Sequence, residues 1–372
     1  MADPVPDRAA DLQMKQERVA AMLRESDLDG LLVLDPINFP WLTAGGVARG
    51  IPNPADLPCL YFQGPQRWLL CCNTDTQRLF DDELDGLGFH LKEWSWHAGR
   101  VQLLADLFFG RKLACDLSFG ESPNVGDRLS AMRRTLTPWA QDRLRDLGKA
   151  VAHALEATCR TLERGETEEE AAGQLSHRLI RHNIEPVTIS VMANGRGRRY
   201  RRGGATQARI ERTCVMQTTS RKWGLHVTAS RTVSFGPPDD GTRLEQDIAC
   251  RATAVLIAKC LSNAKLADAV SAADRLFVSV GHEHEWRLAP VGWLTGFAAV
   301  ESMFVLTDVT TMLEAGQAVV WQGSVGCATN ADTVLVTDAG PQIVTPPTGW
   351  PVKRIKVGAL SLDRPDILVR SE

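Results

Sequence analysis

Arg196, Arg198, Arg199, Arg201, Arg202, Arg209 and Arg212 crowd one stretch between Gly195 and Thr213, with Tyr200 among them, in a chain whose formal net charge is -3. Gathered guanidinium groups can hold a phosphate, a carboxylate or an RNA backbone through charge-assisted bidentate hydrogen bonds. Arg198, Arg199, Arg201 and Arg202 are the densest anion-binding candidates. The competing expectation is a solvated or interface loop paired with acidic neighbours, because runs of charge are commonly just wet. A second candidate is His226, which lies two residues before Thr228, so that on a strand both side chains share a face. Imidazole titrates near neutrality and can serve as a general base. Glu301 would be its carboxylate partner. The alternatives are a histidine that packs or hydrogen bonds and a glutamate in a strand-end salt bridge. Gly281-His282-Glu283-His284-Glu285 carries metal-ligand residue types, but it is expected in a polar loop after a helix, where such groups rarely bind anything specific.

The stretch Cys214 to Gly236, CVMQTTSRKWGLHVTASRTVSFG, resembles the metal-binding hairpin of the pita-bread superfamily of aminopeptidase P, prolidase, methionine aminopeptidase and creatinase. Arg231 and Thr232 match the Arg-Thr that closes the family hairpin. Counting back from them places Thr228 at the family's second aspartate and Gln217 at its first. Gly292 to Glu301, GWLTGFAAVE, is similar to the family's Gly-His-Gly segment, with Trp293 at the ligand histidine. Gly316 to Gly323, GQAVVWQG, has Gln322 at a ligand glutamate, and Ala331 to Thr337, ADTVLVT, has Ala331 at the last one.

The resemblance implies a fold retained and a metal centre removed. Two hard divalent cations held side by side need several anionic oxygens, and peptidases use such a pair to make hydroxide from water. Gln217, Thr228, Gln322 and Ala331 stand where the family has carboxylates, and Trp293 where it has an imidazole, so no metal and no cofactor is expected. Gln217, Thr228, Trp293, Trp321, Gln322 and Ala331 should instead line a ligand pocket, with Gln217 and Gln322 hydrogen bonded to each other. Trp293, Trp321 and Trp223 would fill the volume of the lost ions, in preference to forming an aromatic box for a cationic or proline-containing ligand.

The leading expectation is a pseudopeptidase that binds a peptide, protein or small ligand. The first alternative is a metal-independent C-N hydrolase resembling creatinase, with His226, Glu301 and Arg231 around the substrate. A shifted alignment, with ligands drawn from His282, Glu283, His284 and Glu285, would make the chain a Xaa-Pro peptidase. The resemblance also implies a homodimer.

The positioning elements read as α/β throughout. A helix over Met14 to Glu25 leads into the apolar run LLVLD, and Asn38 to Gly45 is similar to the family's Asn-x-x-Tyr-Leu-Thr-Gly element. Strands are expected at Cys59 to Phe62, Trp68 to Cys72 and Lys112 to Asp116. The fold class is therefore a creatinase-type α/β amino-terminal domain over residues 1-136, followed by a pita-bread domain over 137-372. Thr137-Pro138 opens a long helix, and Thr167 with Glu170 forms a capping box for the next. The strands Val187 to Met192, Thr213 to Thr219, His226 to Phe235, Gln317 to Trp321 and Thr333 to Val336 follow, with helices at Leu244 to Leu261 and Lys265 to Val280 among them.

Composition bounds the rest. With 372 residues, 44% hydrophobic and 23% charged, the chain can bury a large core and should form two domains. A mild negative charge gives no overall pull toward nucleic acid or an anionic membrane, so neither is an expected partner. Nine cysteines without a C-x-x-C spacing point to reduced thiols in a cytosol. The polar amino terminus reads as neither a signal nor an anchor, and a cytoplasmic protein is expected.

Overall fold

The computed structural model describes residues 7-304 and 310-371. The chain forms two compact units that divide after Ala140, inside the helix Pro138–Thr161 and a few residues beyond 136/137.

In the first unit the helix Arg8–Glu25 begins earlier than its apolar periodicity suggests, because Asp7 caps it by accepting from the Ala10 N–H at 2.7 Å. That bond satisfies one of the amides with no partner inside the helix. Strands β1 (Gly30–Val33), β2 (Cys59–Gln63), β3 (Gln66–Cys72), β4 (His90–Trp94) and β5 (Leu113–Cys115) form one sheet in the order β4-β3-β2-β1-β5. All four residues of β1 are buried, as expected of a continuous apolar strand near the middle of a sheet. The core gathers Leu32, Tyr61, Leu70, Trp94 and Leu104. Asn38–Leu42 folds as a short buried helix, and Asn38 Nδ2 donates to Asp116 Oδ2 at 2.8 Å.

The second unit opens with the helices Pro138–Thr161 and Glu168–Ile180. The capping box of the latter is present in full, with Thr167 accepting from the Glu170 amide and Glu170 from the Thr167 amide. Strands β6 (Glu185–Ala193), β7 (Thr213–Lys222) and β8 (Leu225–Phe235) form an antiparallel ribbon. A second sheet contains β9 (Gly292–Thr295), β10 (Ser302–Met303), β11 (Ala318–Val325), β12 (Ala328–Thr337) and β13 (Gly340–Ile343), in the order β10-β9-β11-β12-β13. The hairpin β14 (Val352–Val357) and β15 (Leu360–Pro365) precedes β16 (Ile367–Arg370), which runs parallel beside β8. Sequence reading did not find these last strands; VKRIKV carries too much charge to resemble a core strand. Helices Asp240–Ala258 and Leu266–Ser279 supply Ile248, Leu256, Ala269 and Phe277 to a core shared with Leu294, Val319 and Val334.

The turn between β7 and β8 is tight. Trp223 (φ 53°) and Gly224 (φ 76°) both adopt left-handed backbone, the geometry of a two-residue type I′ hairpin. Trp223 therefore belongs to the turn and does not fill a ligand-position volume as the resemblance implied. Lys222 Nζ lies 4.6 Å and the Arg143 guanidinium 5.3 Å from its ring centroid.

Candidate functional site

Strand alternation assigns the site's side chains. On the ribbon, Gln217 pairs in register with Ser190 of β6 and Ser230 of β8, and Thr219 pairs with Thr188 and Thr228. These residues share one face. On the second sheet Gln322 lies opposite Ala331, and Val320 opposite Trp293, which puts Trp293, Gln322 and Ala331 on one face as well. The two faces enclose a cavity of about 590 Å³. It is lined by the polar Thr188, Ser190, Gln217, Thr219 and Gln322 with Trp293, by the apolar Leu288, Pro290, Val300 and Met303, and by Arg201 to Gly204.

Four of the five side chains that the resemblance sets at ligand positions are hydrogen bonded to protein partners. Gln217 Nε2 donates to Gln322 Oε1 at 2.9 Å, the bond expected from the sequence, and Gln322 Nε2 donates to Ser324 Oγ at 3.2 Å. Thr228 Oγ1 lies 2.8 Å from Thr219 Oγ1. Trp293 Nε1 donates to the Ala299 carbonyl at 3.0 Å. Ala331 is fully buried and offers only a methyl group, and neither it nor the equally buried Thr228 lines the cavity as expected. Two amides, a hydroxyl, an indole and a methyl supply no negative charge, so these positions do not fit a pair of divalent cations. Among the described residues no group of three or more His, Cys, Asp or Glu is placed to hold a metal ion.

Trp321 corrects an expectation. Its neighbour Gln322 lines the pocket, but adjacent strand residues face opposite ways, and Trp321 is fully buried in the core beneath the sheet, its ring 5.1 Å from that of Phe304. The same packing explains Gly292: a Cβ there would come within 2.5 Å of the Trp321 ring.

His226 shares a face with Thr228 but does not line the cavity. Its Nδ1–H donates to the Gly296 carbonyl at 3.1 Å, and burial pushes its pKa down to about 4. Such an imidazole is neutral at pH 7 and a weak base. Arg231, five positions along β8, points through the opposite face and is fully buried. Its Nε bonds Glu156 at 3.0 Å, its Nη1 the Ser230 carbonyl at 2.8 Å and its Nη2 the Thr345 carbonyl at 3.2 Å. Glu301 Oε1 accepts from the Ala298 amide at 2.9 Å. His226, Glu301 and Arg231 therefore do not form the catalytic constellation of the creatinase-like alternative, because strand pleating separates the first from the last.

The arginine loop is mostly paired. Arg196 meets Glu168, Arg198 grips Glu245 through bonds of 2.9 and 3.0 Å, Arg201 meets Glu285 and the Gly326 carbonyl, and Arg212 approaches Asp239 at 3.4 Å. Arg199 covers Tyr200 at 5.3 Å. Arg202 is exposed at the cavity edge. His284 approaches Glu285 at 3.6 Å, and that carboxylate is the one committed to Arg201.

Sequence reading missed Thr188, Ser190 and Thr219, which become visible only once β6, β7 and β8 are in register. Leu288 to Pro290 and Met303 carried no local signal.

No family model matches the chain, and no curated protein does. Solved structures do. The chain is similar to a Xaa-Pro dipeptidase from Bacillus anthracis (15% identity, TM-score 0.74, covering 96% of this chain and 100% of that one). It is also similar to an X-Pro aminopeptidase from Thermotoga maritima (15%, 0.76, 95% and 99%). The N-terminal domain of FACT complex subunit SPT16 from Cicer arietinum is a further likeness (10%, 0.66, 91% and 96%). At these identities the likeness concerns the fold, which is pita-bread. No described helix is long and apolar enough to cross a membrane.

Proposed function

We propose that this chain is a pseudopeptidase, a ligand-binding protein on the scaffold of a Xaa-Pro peptidase that takes a peptide or small molecule into the cavity lined by Gln217, Trp293 and Gln322. The reading is carried by one observation: the side chains at the metal-ligand positions are uncharged, and four of them are hydrogen bonded to protein groups. Activating a water between two cations requires anionic ligands there. The similar solved structures include a dipeptidase and an aminopeptidase, so peptide hydrolysis is the activity to test against. A homodimer belongs to the same reading and rests on fold likeness. All nine cysteines are unpaired and buried, which supports a reducing cytosol.

The test is elemental analysis of purified protein, together with hydrolysis of Xaa-Pro peptides and of creatine, with and without manganese or cobalt. Substoichiometric metal and no turnover are expected. Near-stoichiometric metal with metal-dependent turnover refutes the reading. Metal-free turnover abolished by His226→Ala establishes the creatinase-like route in its place.

A further inference from the structure

We infer that the cavity receives a small monocarboxylate with an apolar body, and that Arg202 binds its head group. The inference deepens the ligand-binding reading and rests on it.

Three observations carry it. First, the cavity lining is mixed in character: Thr188, Ser190, Gln217 and Gln322 are polar, and Leu288, Pro290, Val300 and Met303 are apolar. A site of about 590 Å³ with this mixture suits a small amphipathic molecule. Second, the described lining residues include two arginines and no aspartate or glutamate, so the charge balance favours an anion. Third, the arginines are not equivalent. Arg201 is neutralised by Glu285, which is buried, and donates to the Gly326 carbonyl at 2.6 Å. Arg202 has no ion-pair or hydrogen-bond partner among the described residues and stays exposed at the edge.

One uncompensated guanidinium matches one negative charge. A planar carboxylate can take both arms of its fork, whereas a phosphate dianion would need a second uncommitted cation to offset its desolvation. Gln217 adds a specificity element: its Nε2 is committed to Gln322, which leaves its Oε1 to accept from an N–H or O–H on the ligand.

The test is calorimetric titration with N-acetyl-leucine, with N-acetyl-leucinamide as the same body carrying a neutral head, and with inorganic phosphate. Saturable binding of the acid is expected, with the amide and phosphate weaker by roughly tenfold or more, as loss of a charge-assisted hydrogen-bonded pair implies. Arg202→Gln should bring the acid down to the amide's affinity, and Arg202→Lys, which keeps the charge but loses the fork, should fall between. Arg354→Gln, on β14 and outside the cavity lining, should leave binding unchanged. The inference fails if the acid does not bind saturably, if acid and amide bind equally, if phosphate binds as well as the acid, or if Arg202→Gln has no effect. Equal binding of acid and amide sinks the head-group assignment but leaves a ligand-binding cavity, whereas metal-dependent turnover sinks the pseudopeptidase reading whatever the titrations give.

Discussion

His226 illustrates how residue type and residue environment diverge. Sequence spacing correctly places it on the face of Thr228, but its titration depends on burial, which no spacing encodes. Its folded pKa of about 4 lies below the unfolded value of 6.5, so between those values the unfolded chain binds the proton more readily. The stability contribution is fully present above pH 6.5 and is drawn down as pH falls toward 4, at a limiting slope of about 1.4 kcal/mol per pH unit and by a few kcal/mol at most. In denaturant titrations from pH 7.5 to 4.5, His226→Gln should lose stability less steeply than the unaltered chain. Equal slopes would show that His226 is not the titrating group. Gln217 and Gln322 went the other way: their mutual bond was legible because the two positions converge in the resemblance and each carries an amide.

At the scale of elements, β8 owes its anchoring to Arg231. That guanidinium lies with Glu156 of the long helix, Asp332 of β12 and Arg364 of β15 in a fully buried cluster of two cations and two anions. Burying such charges is costly, yet removing one member leaves another uncompensated. Arg231→Met should therefore destabilise the protein by roughly 3–5 kcal/mol in equilibrium unfolding, without altering binding in the cavity on the strand's other face. A loss below about 1 kcal/mol would mean the cluster contributes no more than a surface pair. Helix ends and strand interiors were legible here. The Thr167 capping box and the strand β8 announce themselves in residue types. The face each strand residue presents was not legible wherever the register was unknown, which is why Trp321 and Arg231 turn out to lie on the other side of their strands from the cavity.

As a whole molecule, the chain carries two separate apolar cores, one in each compact unit. Calorimetry should accordingly give a calorimetric enthalpy larger than the van't Hoff enthalpy, as chains with more than one core commonly do. A single endotherm with equal enthalpies would show that the units unfold together. By itself the sequence determined the α/β class, which follows from periodicity, and its motif order carried the resemblance that implied the pita-bread fold and set uncharged side chains at the family's ligand positions. Beyond the Gln217–Gln322 bond, tertiary structure alone decided which side chains meet. The cavity, the sealing of Arg231, the commitment of Arg201 to Glu285 and the exposure of Arg202 all depend on strand register and long-range packing, which bring together side chains distant along the chain.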